Sequence, residues 1–419
     1  MRTYYLDAAL DFKIEVVRSM TQRTADRVSK IVAPLQRAEV CELVDTIELL
    51  RSQGKDILNL FGSPYWPVST HVMEAAERAA RENQVAPSRG FPELRQAIAD
   101  KLAGEGIITD PRTEILVTNG AMHALSLVFT TLLDPGSEVL MYRPSFFFFG
   151  LVELAGAVPV YADTIQEDGW RWDAKALEAS ISAKTKMIVL NTPANPTGYV
   201  ATEDDLRGVA DVARRHDLVI VSDESYDNMV YEPSRHIRIG SLPEAKDRTI
   251  TICSFTKTFA MQPWRMGFIA APAHLTEYIQ KVLEWSVLRC SHVAQRAAQA
   301  AIQGPQQWLS QIASRFQRSR DIMIQALDSS RGARYVIPQG GPFLFLNVTE
   351  LGLSGTEFSD WLLREFGVPT DPGSFFISDA HVRLPFGGSD DVVREAARRI
   401  RAARDNRLST QPVPTTRRG

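Results

Sequence analysis

Cysteine is scarce in this chain: three in 419 residues, Cys41, Cys253 and Cys290, far apart. That count and spacing exclude a disulfide framework and a cysteine-based zinc site, and make a reducing cytoplasm the expected compartment. An excess of either charge is missing as well. Forty-seven Lys and Arg against 50 Asp and Glu leave a formal net charge of −3. Such a balance provides no basic field for nucleic acid, so no nucleic-acid partner is expected. No stretch approaches the roughly eighteen uninterrupted apolar residues that a membrane span needs, so no membrane partner is expected. The opening "MRTYYLDAALDFKIEVVRSM" interrupts its apolar residues with acids and has no small-residue cleavage site. It does not read as a secretory signal. A G-x-G-x-x-G after a strand is also missing, which counts against a nicotinamide enzyme.

What is present is alternation. Short apolar runs rich in β-branched residues, "EILVT", "EVLMY", "MIVLN", "LVIVSDE" and "TITICS", are separated by segments with helical spacing. One of these, "TEDDLRGVADVARRH", opens with a Thr202–Asp205 pair that resembles a capping box. A helix is expected near Met122 to Leu133. The pattern predicts an α/β fold with a mostly parallel central sheet flanked by helices. Ligands of such sheets usually lie beyond the carboxyl ends of the strands. After about Pro305 the texture changes. A long amphipathic stretch leads into "GPFLFLNV", a helix near Thr356 to Glu365, "HVRLPF" and a basic helix to about Arg404. This predicts a smaller α+β domain. The length suffices for two domains. The expected division is an N-terminal extension over 1–27, an N-terminal part of the small domain over 28–74, a large domain over 75–304, a C-terminal small domain over 305–405, and a disordered tail over 406–419.

Within "SFTKTFAMQPWRMGF" a lysine, Lys257, follows a buried-strand pattern, and an arginine, Arg265, stands eight positions on. Each piece of this kind has an ordinary reading. A lone lysine at a strand end is usually a solvated charge, and an acidic pair such as Asp223-Glu224 usually opens a loop. "NPTG" is a common turn. The joint occurrence of these pieces at successive strand ends is what carries information.

Taken together, "TNGAMHAL", "RPSFFFFG", "NTPANPTG", "SDESY", "SFTKTFAMQPWRMGF" and "HVRLPF" resemble the class I/II aminotransferases of the fold type I pyridoxal phosphate enzymes. The resemblance runs from about Arg27 to Arg404. It implies pyridoxal 5′-phosphate as cofactor, small-molecule amino acid and 2-oxo acid substrates, and a homodimer. It also implies roles. Lys257 would join the cofactor aldehyde as a Schiff base and move the proton at Cα; a lysine suits both tasks because desolvation and neighbouring charge lower its pKa. Asp223 would pair with the pyridine nitrogen. Tyr226 and Asn195 would meet the ring hydroxyl, and Phe146 would stack on the ring. Gly120, Ala121 and Met122 at a helix N-terminus, with Ser254 and Arg265, would hold the phosphate. Arg383 would bind the substrate α-carboxylate as a bidentate pair, with Asn195 and backbone near Gly62 assisting.

The chain also departs from that family pattern. Val85 stands where many relatives carry a tyrosine that reaches the partner subunit's phosphate. Gln262-Pro263 replaces a threonine-glycine pair, and Ser225 stands where isoleucine is usual. Met122 occupies a position that in some aspartate-using relatives is a lysine for the distal carboxylate. Others use an arginine of the neighbouring subunit, for which Arg289, near Ser286, is the candidate here. These changes favour an apolar or aromatic amino donor over aspartate. Two alternatives stay open at this stage. One is a lyase, cyclase or other biosynthetic reaction on the same scaffold; the other is an aminotransferase-like regulatory domain without turnover, disfavoured by the complete Lys257, Asp223 and Arg265 set.

Overall fold

The computed structural model describes residues 27–410 apart from 61–66, 83, 147 and 329–333. Seven strands form the larger sheet: β1 (Ile115–Thr118), β2 (Glu138–Arg143), β3 (Val158–Asp163), β4 (Thr185–Asn191), β5 (Val219–Asp223), β6 (Thr249–Ser254) and β7 (Gly267–Ala270), in the spatial order β1-β7-β6-β5-β4-β2-β3. β3, β2, β4, β5 and β6 run parallel, while β7 lies antiparallel between β6 and β1. The α/β expectation holds. β3 and β7 were not evident in the sequence: β3 is half-exposed at the sheet edge and β7 is only four residues long.

Both faces of this sheet are covered, so its central strands are apolar in both directions. In β5, Ile220 enters one cluster with Leu206, Val209 and Ala213 of the helix Glu203–Arg215, and Val221 enters another with Val128 and Ile252. The capping box expected at Thr202 forms: the Thr202 hydroxyl accepts from the Asp205 amide at 3.2 Å, and the Asp205 carboxylate accepts from the Thr202 amide at 2.8 Å.

A second, antiparallel sheet has the order β10 (Asp371–Pro372), β11 (His381–Pro385), β9 (Phe343–Asn347), β8 (Arg334–Tyr335). The helices Gln307–Asp328 and Asp390–Thr410 pack on it through Phe316, Met323, Val393 and Ile400. The N-terminal segment folds back onto this part. Ile47 and Leu50 of the helix Glu39–Ser52 meet Leu363, and the Leu58 amide donates to the Gly367 carbonyl at 2.8 Å.

Two of the expected boundaries fall within helices. The limit at 74/75 falls inside the helix Thr70–Glu82, whose Val72 and Ala76 belong to the core beside β1. The last helix continues to Thr410, so residues 406–410 are helix and not tail. Leu408 packs against the small-sheet core and Arg407 donates to the Leu351 carbonyl at 3.2 Å, which holds that turn in place. Residues 1–26 of the expected extension and residues 411–419 lie outside the described residues.

Candidate active site

The carboxyl ends of β1, β4, β5 and β6, together with the start of antiparallel β7, open on one edge of the large sheet, and the expected residues gather there. Lys257, Asp223, Tyr226, Asn195, Ser254, Arg265, Phe146, Ala121 and Met122 line one cavity. Gly120 precedes Ala121, and Arg383 reaches Asn195 from β11, Nη1 donating to Oδ1 at 2.7 Å. Gly62 lies outside the described residues.

Lys257 sits in the short helix Phe255–Thr258 that β6 runs into, capped by the Ser254 side chain. Burial, then the charges of Arg383 and Arg265, pull its amine down to about 8, with Asp371 acting the other way. Asp223 ends β5 and is buried. Burial pushes its carboxyl up to about 6 against the opposing pull of Ser225. The Ser225 hydroxyl donates to Asp223 Oδ1 at 2.5 Å and the Ser225 amide does so at 3.1 Å. Ser225, which the sequence showed only as a departure, thus fixes this carboxylate and leaves Oδ2 without a donor among the described residues. Glu224, next in the chain, points the other way. Burial raises its carboxyl, but Arg238 and a hydrogen bond with His236 outweigh that and hold it below the usual range. Asp227 joins the same network through Arg238 at 2.6 Å, and accepts from the Thr258 hydroxyl at 2.7 Å. That bond ties the Asp223–Tyr226 turn to the turn carrying Lys257. Burial pushes the Tyr226 hydroxyl up to about 12, so it stays a neutral donor. Asn191 crosses from β4 to β5: its side chain donates to the Asp223 carbonyl at 3.0 Å and accepts from the Asn195 amide at 2.8 Å.

An anion cradle lies at the same edge. The helix Ala121–Leu132 starts without a side-chain cap, and no acceptor among the described residues meets the amides of Ala121 or Met122. Free amides at a helix N-terminus attract negative charge. Arg265 lies across them, and no carboxylate among the described residues pairs with it. Its Nη1 donates to the Gln262 carbonyl at 3.1 Å. Gly120, at φ 83°, is required here: a Cβ on it would come within 2.8 Å of Arg265 Nη2. The Ser254 oxygen accepts from the Thr256 amide at 3.1 Å, which leaves its O–H free to donate.

Arg383 is packed between Phe343 and Phe376, whose ring centroids lie 5.1 and 4.8 Å from its Cζ. It also meets Asp371, a residue that sequence reasoning missed. The pyridoxal 5′-phosphate implied by the resemblance fits this set. The uncapped helix start with an uncommitted arginine suits a phosphate, and the free Asp223 oxygen suits a protonated ring nitrogen. The buried amine of Lys257 suits an aldehyde. Among the described residues there is no group of three or more His, Cys, Asp or Glu that could hold a metal ion. No helix there is long and apolar enough to cross a membrane.

Comparison with known proteins agrees with this geometry. The family model described as aminotransferase class I and II matches residues 58–400. An aspartate aminotransferase of Pyrococcus abyssi is 34% identical over 365 residues, 85% of this chain and 94% of the relative. An aromatic-amino-acid aminotransferase of Thermococcus litoralis is 33% identical over 384 residues, 90% and 97% of the two chains. Among solved structures, an aromatic aminotransferase of Pyrococcus horikoshii superposes with a TM-score of 0.82 at 34% identity, covering 87% of this chain and 99% of that one. An aspartate aminotransferase of Thermus thermophilus with maleate gives 0.85 at 31% identity, covering 90% and 99%. With its matched length and its site both of that type, the chain belongs to the class I and II aminotransferases, which use pyridoxal 5′-phosphate.

Proposed function

We propose that this aminotransferase takes its amino group from an L-α-amino acid with an apolar or aromatic side chain, in preference to aspartate, and passes it to a 2-oxo acid by a ping-pong sequence. The observation that carries the preference is Met122. It lines the cavity around Lys257 and also a wider one of about 450 Å³ next to it, where Leu35, Val40, Phe149, Leu154 and Phe375 contribute apolar surface. Among the described residues one cation lines that wider cavity, Arg37, and it is paired with Asp45 at 2.7 Å. A distal carboxylate entering without a cationic partner costs several kcal/mol in desolvation. An apolar side chain there gains about 1.5–3 kcal/mol from burial. The test is kcat/KM for aspartate, glutamate, phenylalanine, leucine and methionine with one common acceptor. Phenylalanine, leucine or methionine should lead aspartate by more than about tenfold, the equivalent of 1.4 kcal/mol. Aspartate leading the panel would overturn the preference.

When bound, the cofactor supplies an aldehyde for amines and a ring that takes up the electron pair left on Cα. The residues supply the rest in this reading. Lys257 Nζ anchors the aldehyde, then carries the proton to and from substrate Cα. The Asp223 carboxylate holds a proton on the ring nitrogen. The Tyr226 hydroxyl and the Asn195 side-chain amide face the ring oxygen, and Phe146 covers the ring. The amides of Ala121 and Met122, the Ser254 hydroxyl and Arg265 bind the phosphate, with Gly120 making room. Arg383 takes the α-carboxylate.

Two expected results follow from these assignments. With its amine at about 8, roughly one-tenth of Lys257 is neutral at pH 7, against about one in 2,500 for an ordinary lysine. The rate at which cofactor-free protein captures pyridoxal 5′-phosphate should therefore climb to about pH 8 and level off. A climb that continues past pH ~10, the range of an unperturbed lysine, would contradict it. Arg383→Lys should lower kcat/KM for amino acids at least about tenfold, because an ammonium cannot reproduce the two-point fork. The check is to rank amino acids against simple amines in both forms; an unchanged ranking counts against the role.

A homodimer belongs to the same reading. Trp285 and Leu288, 92% and 64% exposed, stand beside Val85 at 74%. The two segments adjoin, since Ser88 donates to Glu284 at 2.7 Å. A second copy is the proposed cover, and sedimentation of Trp285→Glu against the unaltered protein tests it. The cytoplasm is the proposed compartment.

A further inference from the structure

Asp371 stands directly across from Arg383 in the β10–β11 ladder, so the two side chains project from the same face of the small sheet. Arg383 Nε and Nη2 both turn to one oxygen of it, Oδ2, at 2.8 and 2.7 Å. Nη1 is taken by Asn195 at 2.7 Å. A guanidinium carries five N–H donors, so two remain for a ligand. The other oxygen of Asp371, Oδ1, is buried and accepts no hydrogen bond from the described residues. Buried acceptors are nearly always satisfied, and leaving one empty is costly. Burial raises the Asp371 carboxyl, while Arg383 and Lys257 pull it back, so its charge is felt at the reacting lysine.

A purely structural strut does not account for this arrangement. Holding Arg383 requires Oδ2 alone, and Asn195, Phe343 and Phe376 already fix the guanidinium plane. Among the described residues, two N–H groups of Arg383 and one carboxylate oxygen of Asp371 are therefore left without a partner. We propose that Arg383 and Asp371 together read the zwitterionic head of the amino acid, the α-carboxylate on the remaining N–H pair of Arg383 and the α-ammonium on Oδ1 of Asp371. This rests on the aminotransferase reading above and adds a specificity-determining residue to it. A 2-oxo acid has the carboxylate and lacks the ammonium, so Asp371 contributes to the binding of the amino acid and not to that of the 2-oxo acid.

Asp371→Asn removes the charge and keeps the shape. Three measurements on the cofactor-loaded protein separate the possibilities: the dissociation constant of phenylalanine from saturation of its half-reaction, that of phenylpyruvate from saturation of its half-reaction, and equilibrium binding of 3-phenylpropanoate by calorimetry. Loss of a charged hydrogen bond predicts a weakening of about tenfold to a hundredfold in the dissociation constant of phenylalanine, with that of phenylpyruvate changed by less than about threefold. Binding of 3-phenylpropanoate should be unchanged or tighter, because Arg383 loses its negative neighbour. Equal losses in all three measurements would reduce Asp371 to a support for Arg383 and overturn the proposal. Losses confined to lysine or arginine as donor would overturn it too, since the residue would then read a side chain. Asp371→Ser, which also removes the charge, serves if the asparagine variant does not fold. Should the unaltered protein show no half-reaction with any amino acid, the functional reading fails. Calorimetry of phenylalanine against 3-phenylpropanoate in both forms then still decides the role of Asp371.

Discussion

Lys257→Ala is expected to abolish transamination, with a loss of at least about 10²–10⁴ from the missing proton carrier alone and more from the missing anchor. β6 is buried along its whole length, and the chain turns into a single helical turn after Ser254, which sets the Lys257 amine into the cavity and not into solvent. Desolvation and two neighbouring guanidinium groups then bring it to about 8. Among the described residues, no other lysine lines this cavity. The variant should keep its affinity for pyridoxal 5′-phosphate in part, because the amides of Ala121 and Met122, the Ser254 hydroxyl and Arg265 are untouched by the change. Borohydride treatment followed by peptide mapping gives the readout. The unaltered protein should carry reduced cofactor on Lys257, and the variant on no lysine. A reducible link at a different lysine in the variant would show that the anchor had been misassigned.

Most of this site could be read from the sequence because each contributor sits next to a strand end and carries its signal locally. Lys257, Asp223, Asn195 and the "TNGAM" turn each follow a recognisable apolar run, and a parallel sheet brings such ends to one edge by construction. Asp371 had no local signal. Before a Pro-Gly pair it reads as a turn residue. Its meaning depends on the strand register that sets it opposite Arg383, twelve positions away. Ser225 was visible as an oddity, but only the closeness of its hydroxyl to Asp223 gives it a task. The same limit applies to the fold. β7 lies antiparallel between β1 and β6, and four apolar residues do not announce a direction. The helix end at Thr410 was read too early because a polar surface turn resembles a tail until Leu408 and Arg407 are seen to pack.

Asp223→Asn is expected to lower kcat by about 10²–10³, the usual effect of removing one preorganised electrostatic partner. Asparagine matches the carboxylate in size, and its side-chain oxygen can still accept from the Ser225 amide and hydroxyl, so the β5 end should not move. What is lost is the negative charge at Oδ2, the oxygen that no donor among the described residues meets. Because in the proposed mechanism that charge would stabilise a proton on the cofactor ring, its removal should affect the rate far more than retention of the cofactor, which would keep its phosphate contacts. The pH dependence gives a second handle. Burial raises the Asp223 carboxyl to about 6, so in cofactor-free protein the ionised form prevails above that pH and is lost as pH falls through it. Uptake of pyridoxal 5′-phosphate by the unaltered protein should weaken below about pH 6, by as little as the asparagine substitution itself weakens it, and the asparagine variant should lack that acid limb. Ser225→Ala, which removes one of the bonds opposing protonation, should move the midpoint upward. Near-normal turnover in Asp223→Asn, or an acid limb that survives the substitution, would exclude Asp223 as the partner of the ring nitrogen.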